Sequence, residues 1–435
     1  VQQSHQELFE LYQTAVRVSQ PQHCMASWLN TLPKDQPICV LGAGKAAAEM
    51  AAEAHAYFGD ACYGAVVTRY GYETQRPTGK IDVLLAAHPV PDENSLIGGQ
   101  KLLQMAADVP PDVPVLFLIS GGGSALACVP AEGISLQEKT EVHRFLLSSG
   151  AAIEEMNTVR KHLSAIKGGK LAAATGKSTT SLVISDVVGD DPAFIASGMT
   201  IFDDTTPADA LAILRAYHWP HIDNPASNVF NYLQNASVIE PSNINYHSDY
   251  QIVANAQQAI DAAVAQSQQD GWETLVLSYE ETGEASKVAQ QHAQRALAIR
   301  SEKKPTDSAS KGIRLFSGGE LTVTLNRGEV QNGQARNGDG GPNQEYLLAL
   351  ALALNGADNI VALSADTDGV DGSKDVAGGF IDSGTLQRAQ AQGVDAKAIL
   401  AQHNSFAFFH ALDNHIIVEP TCTNVNDFRV IEIRY

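Results

Sequence analysis

The sequence predicts an α/β protein with a parallel sheet in its first half and a second α/β domain after it, and three observations support this. Short unbroken apolar runs at residues 38–41, 64–67, 83–86, 116–119 and 182–184 alternate with stretches of helical period, as strands buried on both faces of a parallel sheet do. These runs lead into glycines, hydroxyls and charged residues, and in an open parallel sheet ligands bind at the carboxyl ends of the strands. The pattern breaks around Glu240-Pro241-Ser242-Asn243 and resumes at Gln251. The expected domains are therefore 1–245 and 246–435, and a chain of 435 residues has room for a core in each.

Composition narrows the function. A formal charge of −20 at pH 7 argues against nucleic acid or an anionic membrane as partner, because both reward a basic face. A small anion needs only a local pocket. Cys24, Cys39, Cys62, Cys128 and Cys422 are far apart, form no C-x-x-C pair and have no metal-like spacing with histidine, so they read as reduced structural thiols. No apolar run approaches the ~20 residues of a membrane helix and no signal-peptide pattern opens the chain, so a cytoplasmic protein is expected.

Taken in order, Leu8, Leu11, Tyr12, Ala15 and Val16 mark a helix over about 5–19 with one buried side. The first strand enters Gly42-Ala43-Gly44-Lys45-Ala46-Ala47 and an alanine-rich helix running to about Phe58. Gly42-x-Gly44-x-x-Ala47 satisfies the loose dinucleotide fingerprint, in which helix N-terminal amides hold a pyrophosphate. The second strand ends in Thr68-Arg69-Tyr70 rather than in an acid, which disfavours an NAD ribose and leaves Arg69 for a 2′-phosphate. Lys45 stands where the helix dipole opposes a cation, so it is either offset by an anion or simply solvated. The third strand runs into His88-Pro89-Val90-Pro91-Asp92; the prolines exclude helix, Asp92 caps a helix to about Ala107, and His88 is placed to touch substrate or to serve structure.

The central strand, 116–119, delivers Ser120-Gly121-Gly122-Gly123-Ser124. Consecutive glycines let the backbone take positive φ and turn several N–H groups toward one point, with no Cβ to hold a phosphate away. Ser135-x-x-Glu138 is a capping box opening a helix to about Ser148. Beyond it, residues 157–170 carry Arg160, Lys161, Lys167 and Lys170 without one acid. On a continuous helix Arg160, Ser164 and Lys167 share a face, which reads as an anion clamp or as a solvated basic face. The strand 182–184 ends in Asp186, Asp190 and Asp191, which repel one another unless a donor or a phosphate-bridging Mg²⁺ neutralises them.

In the second half, strands are expected at 251–255, 274–277, 313–316 and 321–324, with Ser317-Gly318-Gly319-Glu320 as a second strand-to-loop turn. The Gly-rich loop 337–345, which includes Asn343 and Glu345, precedes a helix at 346–354 that is apolar nearly all round and therefore buried. The strand 360–363 delivers Asp366-Thr367-Asp368-Gly369-Val370-Asp371-Gly372. This is no EF-hand, since Asp371 stands at the invariant glycine position; a metal, a polar substrate or Asx-turns would each suit it. A final strand at 416–418 leads to the polar loop 421–427.

Several of these stretches together are specific: Leu41-Gly-Ala-Gly-Lys45, His88-Pro-Val-Pro-Asp-Glu93, Ser120-Gly-Gly-Gly-Ser-Ala-Leu126, Asn157-Thr-Val-Arg-Lys-His-Leu163, Ser185-Asp-Val-Val-Gly-Asp-Asp-Pro192, Gly340-Gly-Pro-Asn-Gln-Glu345, Asp366-Thr-Asp-Gly-Val-Asp-Gly372 and Thr423-Asn-Val-Asn-Asp427. In this order, over nearly the whole chain, they resemble the glycerate 2-kinases of the MOFRL family, some of whose members are named hydroxypyruvate reductases. Many members carry Arg where this chain has Pro342. The resemblance implies ATP- and Mg²⁺-dependent phosphorylation of D-glycerate to 2-phosphoglycerate, in a cleft between a Rossmann-like N-terminal domain and a leucine-rich MOFRL-like α/β C-terminal domain.

Under that resemblance Lys45, Asp190 and Asp186 are the expected catalytic residues. Ser120, Gly121, Gly122, Gly123, Ser124, Lys161, Glu320, Asn343 and Glu345 are expected to hold nucleotide phosphates. Lys45, His88 and Arg160 are expected on the substrate, and Asp190, Asp366 and Asp368 on the metal. The partners implied are D-glycerate and ATP, with neither nucleic acid nor membrane, and with a homodimer left open. Two other readings stand beside it: an NADPH-dependent hydroxypyruvate reductase, from the fingerprint and Arg69, and a non-catalytic sugar-phosphate binder.

Overall fold

The computed structural model describes residues 2–237, 247–302, 310–325, 330–331, 334–335 and 338–435. The chain forms two compact units, Cys24–Val253 and Val1–His23 with Ala254–Tyr435. The break expected at 240–243 lies outside the described residues, as does Asn337.

In the first unit, β1 (Ile38–Ala43), β2 (Cys62–Arg69), β3 (Lys80–Ala86), β4 (Val115–Ile119), β5 (Thr179–Ile184) and β6 (Ser248–Ala254) form one sheet in the order β3-β2-β1-β4-β5-β6. The pairs among β1 to β5 are parallel. Every residue of β1 and β4 is buried, which is what their unbroken apolar runs require. The strand order reverses between these two, and such a switch point is where a doubly wound sheet opens a crevice. Ala43 pairs with Ile119, so the turns that follow both strands leave the sheet side by side. The predicted caps are present: Asp92 accepts from Ser95 N at 2.9 Å ahead of the helix Glu93–Asp108, and Ser135 and Glu138 close a capping box ahead of Leu136–Ser149. Leu136–Ser149, Ile153–His162, Pro207–Ala216 and Asn228–Asn235 share a separate apolar core around Val142, Leu146, Val159, Leu214 and Phe230.

The second unit holds β7 (Glu273–Glu284), β8 (Gly312–Thr322), β11 (Ile360–Asp366), β12 (Gly378–Asp382), β13 (His415–Ile416) and β14 (Asp427–Arg434), in the order β13-β12-β11-β14-β8-β7. A small ribbon pairs β9 (Val330–Gln331) with β10 (Gln334–Ala335). Only β7 and β8 of the main sheet run parallel; its other pairs are antiparallel. The helix Pro342–Leu354 is buried almost throughout, as its apolar circumference predicts, and Leu347, Leu348 and Leu350 are fully inaccessible.

Four expectations are corrected. The helix Gln2–Ser19 belongs to the second unit, where its buried stripe packs on the helix Ala256–Gln269 and on β11 and β14. The run at 251–255 is the edge strand of the first sheet rather than the start of a second alternation. Ser317-Gly318-Gly319-Glu320 is no loop: it lies inside β8, where Gly319 pairs with Glu281 and the Arg429 guanidinium donates to Gly318 O at 2.6 Å. Glycine serves close strand approach there. The last strand is β14, in the middle of the sheet, while Ile417, expected to be part of it, is 73% exposed.

Charges hid β14 from the sequence. Glu432 is fully buried and receives Arg314 Nε at 2.9 Å and Nη2 at 2.7 Å, with the Arg314 guanidinium 4.0 Å from the Trp272 ring centre and also on Glu7. Arg429 is paired in the same way with Asp427. Removing one member of such a pair leaves the other charge buried and uncompensated, which costs about 3–5 kcal/mol. Glu432→Ala should therefore lower the urea midpoint of the second unit by a corresponding amount; a midpoint within error of wild type would show the pair to be dispensable.

Candidate active site

The site begins where the two central turns meet. Lys45 N donates to Gly121 O at 2.8 Å, Ala46 N to Ser120 Oγ at 3.1 Å, and Ser120 N to Ala43 O at 3.1 Å. Gly44 permits this contact: its φ is 146°, and a Cβ there would lie 2.5 Å from Ser120 O. Ser120, expected to hold phosphate, is thus fully buried and serves to bolt the turn after β1 to the loop after β4. Gly122 has φ 78°, and a Cβ on it would lie 3.0 Å from His88 Cδ2 and 3.4 Å from Lys45 Cγ. A Cβ on Gly121 would collide with the Asp186 carboxylate. The loop therefore gathers Lys45, His88 and Asp186 around Gly121 and Gly122. Among the described residues nothing accepts from the N–H groups of these two glycines, which leaves two consecutive donors for an anion.

A second chain of contacts leads away from Ser124. Its Oγ is 2.8 Å from Ser197 Oγ, which donates to Asn157 Oδ1 at 3.2 Å, and Arg160 Nη1 donates to the same oxygen at 3.0 Å. The helix carrying Arg160 stops at His162, so Ser164 and Lys167 do not continue its face as expected. Lys167 is completely buried and donates to Ser124 O at 2.5 Å, Ser124 Oγ at 3.1 Å and Ala127 O at 3.4 Å, which fixes the end of the glycine loop. Lys170 donates to Lys161 O and Ser164 O, carbonyls at and just beyond the helix end. Lys161, expected on phosphate, is buried and paired with Asp203 at 3.3 Å.

Next to this chain lies a cavity of about 360 Å³ between the glycine loop, the 88–91 segment and the helices Leu136–Ser149 and Ile153–His162. Lys139, His143, Arg144, Arg160 and Lys167 line it. The His143 imidazole is pushed down to about 4 by burial and then by Arg160, Lys139 and Lys167, so it is neutral at physiological pH. Burial likewise lowers Lys139. Sequence reasoning missed both Lys139 and His143.

The acids are differently placed. In the loop after β5, Asp190 has φ 55° and its N–H bonds Val187 O at 3.0 Å, while Asp191 accepts from Ala193 N at 2.9 Å in an Asx-turn. In the second unit Asp366 accepts from Asp368 N and Asp368 from Val370 N, both at 2.8 Å, so Asx-turns shape that loop too. Asp371 takes both N–H and side-chain donors from Asn343 and Gln344, and so sits on the N-terminus of the helix Pro342–Leu354. The Asn343 amide is fully spent on Asp371, Asp427 and Ser364, and Glu345 is 2.8 Å from His403 Nδ1. Glu320 projects from the exposed side of β8. Among the described residues no group of three or more His, Cys, Asp or Glu is placed to hold a metal ion. A Mg²⁺ needing one or two carboxylates beside substrate phosphates remains compatible with this donor set.

A doubly wound unit with free loop amides, a lysine and a cation-lined cavity at its switch point is built to bind small anions. Comparison with known proteins narrows the class. Residues 7–234 match DUF4147, described as a domain of unknown function, and residues 313–427 match the MOFRL family. The chain is 41% identical over 432 residues to a putative hydroxypyruvate reductase of Agrobacterium vitis, covering 99% of this chain and 94% of that one. It is 35% identical over 420 residues to D-glycerate 2-kinase of Thermotoga maritima, covering 96% and 95%. A crystal structure of glycerate kinase from Thermotoga maritima matches with a TM-score of 0.87 at 32% identity, over 100% of both chains. The chain belongs to the MOFRL family. Among the described residues no helix is long and apolar enough to cross a membrane.

The contact at Gly44 is testable. Alanine there would be strained at φ 146° and would push Ser120 away, so Gly44→Ala should cost at least about 2 kcal/mol in chemical denaturation. A variant that unfolds with wild-type stability would show that the two turns can separate freely.

Proposed function

We propose that the protein is an ATP-dependent kinase that phosphorylates D-glycerate to 2-phosphoglycerate. One observation favours this over the reductase. The amides at the fingerprint turn, Lys45 N and Ala46 N, are already bonded to Gly121 O and Ser120 Oγ, so the seat a dinucleotide pyrophosphate needs is taken. The donors left open are Gly121 N and Gly122 N, beside Lys45. The relatives named glycerate kinase supply the substrate.

Phosphoryl transfer asks mainly for positioning and charge neutralisation. In this reading the loop amides and Lys45 hold the transferred phosphoryl group. Asp186, packed on Gly121, accepts the proton of the attacking hydroxyl as its oxygen bonds the γ-phosphorus and ADP leaves. Asp190, partly exposed, is the carboxylate of this unit that would hold a Mg²⁺ bound with the nucleotide, and that ion would supply positive charge to the phosphates.

Incubation with D-glycerate and Mg-ATP should release ADP, and enolase should consume the product directly. A need for added phosphoglycerate mutase would identify the 3-isomer, and NADPH oxidation on hydroxypyruvate without ADP from glycerate would reverse the reading. Lys45→Ala should lower kcat/KM by at least ~10²-fold, the scale of a lost preorganised donor, while stability changes by less than about 1 kcal/mol. Undiminished kcat/KM in that variant would remove Lys45 from the reaction.

A further inference from the structure

The cavity beside the glycine loop carries an imbalance of charge that the kinase reading does not use. In a chain with 49 acidic and 29 basic side chains, its lining includes Lys139, Arg144, Arg160 and Lys167 and not one Asp or Glu. Each cation can be accounted for in turn. Lys167 is satisfied by Ser124 and Ala127. Arg160 is engaged by Asn157, Ser197 and His143. Arg144 is exposed to water. Lys139 is different: it is 7% exposed, and among the described residues no oxygen or nitrogen accepts a hydrogen bond from its Nζ, which has only the Cys128 sulfur, a weak acceptor, beside it.

A buried ammonium with no better acceptor than a sulfur is costly, and its neighbours make this one worse, since Arg160 and Lys167 share its cavity. A ligand that brought one negative charge would remove that cost. Arg160 and Lys167 meet only neutral acceptors, so the cavity as a whole is cationic, but the one buried donor of this lining without an oxygen or nitrogen acceptor among the described residues is the Lys139 ammonium, which a single carboxylate can fill. The remaining wall is largely apolar, with Val90, Val142, Leu146 and Met156. Gly122, His88 and Ser124 line the same cavity, so an acid seated at Lys139 shares it with the loop proposed to handle the phosphoryl group.

We infer that Lys139 is the seat of the acceptor substrate's carboxylate, so that this cavity recognises the reaction's hydroxy acid by its charge. The inference rests on the kinase reading for the identity of that acid, but the anion seat itself can be tested without nucleotide. Binding of D-glycerate, glycerol and hexanoate would be measured by calorimetry on wild type, Lys139→Met and Lys139→Arg. Wild type should bind the two acids and not glycerol, which lacks the carboxylate. Lys139→Met should weaken both acids by ~10-fold or more, the value of a charge-assisted hydrogen bond, and Lys139→Arg should restore part of the loss.

In turnover, Lys139→Met should raise KM for D-glycerate by the same ~10-fold while kcat and KM for ATP stay within about 3-fold, because binding in ground and transition states is lost equally. Hexanoate should compete with D-glycerate. Ligand-free Lys139→Met should melt at or above the wild-type temperature, since it loses an unpaired buried charge; a lower melting temperature would reveal a structural partner and overturn the assignment. Unchanged glycerate affinity in Lys139→Met would overturn it as well. So would hexanoate that binds through Lys139 without competing with D-glycerate, which would make the cavity a site for a separate acid. If wild type made no ADP from D-glycerate, the kinase reading would fail, and the nucleotide-free titrations would still decide whether Lys139 seats a carboxylate.

Discussion

The site depends on one close approach, that of Gly44 to Ser120. Parallel pairing of β1 with β4 sends two glycine turns out of the sheet together, and the absence of a Cβ at Gly44 lets them touch. The contact then decides what each turn can do. The turn after β1 gives up its amides to the loop after β4, and so keeps only the Lys45 side chain as a functional group. The loop, held at its start by Ser120 and at its end by Lys167, retains two amides in a fixed conformation. Fixed donors are the ones that stabilise developing charge without reorganising.

Lys167 shows why a buried lysine need not be a ligand group. Three acceptors surround it, so it behaves as a rivet between the glycine loop and the segment that follows the helix Ile153–His162. Lys161 and Lys170 are similarly spent, one on Asp203 and one on carbonyls of the chain at the helix end. Of the basic run that the sequence presents as a clamp, Arg160 and Lys167 line the cavity, and both are held by neutral groups of the protein, Arg160 by Asn157 and Ser197 and Lys167 by Ser124 and Ala127. The positive potential of the cavity therefore comes from residues of two helices and a loop, and no single motif displays it.

Much of the first unit was legible because its strands are buried on both faces and leave uninterrupted apolar runs, and because Asp92 and Ser135 announce their helices. The second unit was harder for a physical reason. Its central strand β14 is buried with Asp427, Arg429 and Glu432 inside; Asp427 and Arg429 pair with each other, and Glu432 is matched by Arg314, far away in sequence. Nothing local reveals such a pair. The helix Gln2–Ser19 has the same difficulty, since its stripe shows that it packs but not on what. Lys139 did leave a trace: with Val142 and Leu146 it falls on the buried face of its helix, a lysine in an apolar stripe.

The acidic loop of the second unit shows how the same residue type can answer a different demand. Three aspartates after β11 suggested a metal, but Asp366 and Asp368 turn the loop through their own backbone amides, and this shapes the segment that delivers Asp371 to the helix Pro342–Leu354. That helix begins at a glycine with no side-chain cap, and Asp371 supplies the missing acceptor from another part of the chain. A Cβ at Gly341 would collide with its carboxylate, so the glycine and the acid form one device. Burial still pushes Asp371 up to about 6 against the donors that favour its charge. Those donors thus recover only part of the hydration lost, and the remainder is a cost of fixing the start of the helix at the centre of this unit.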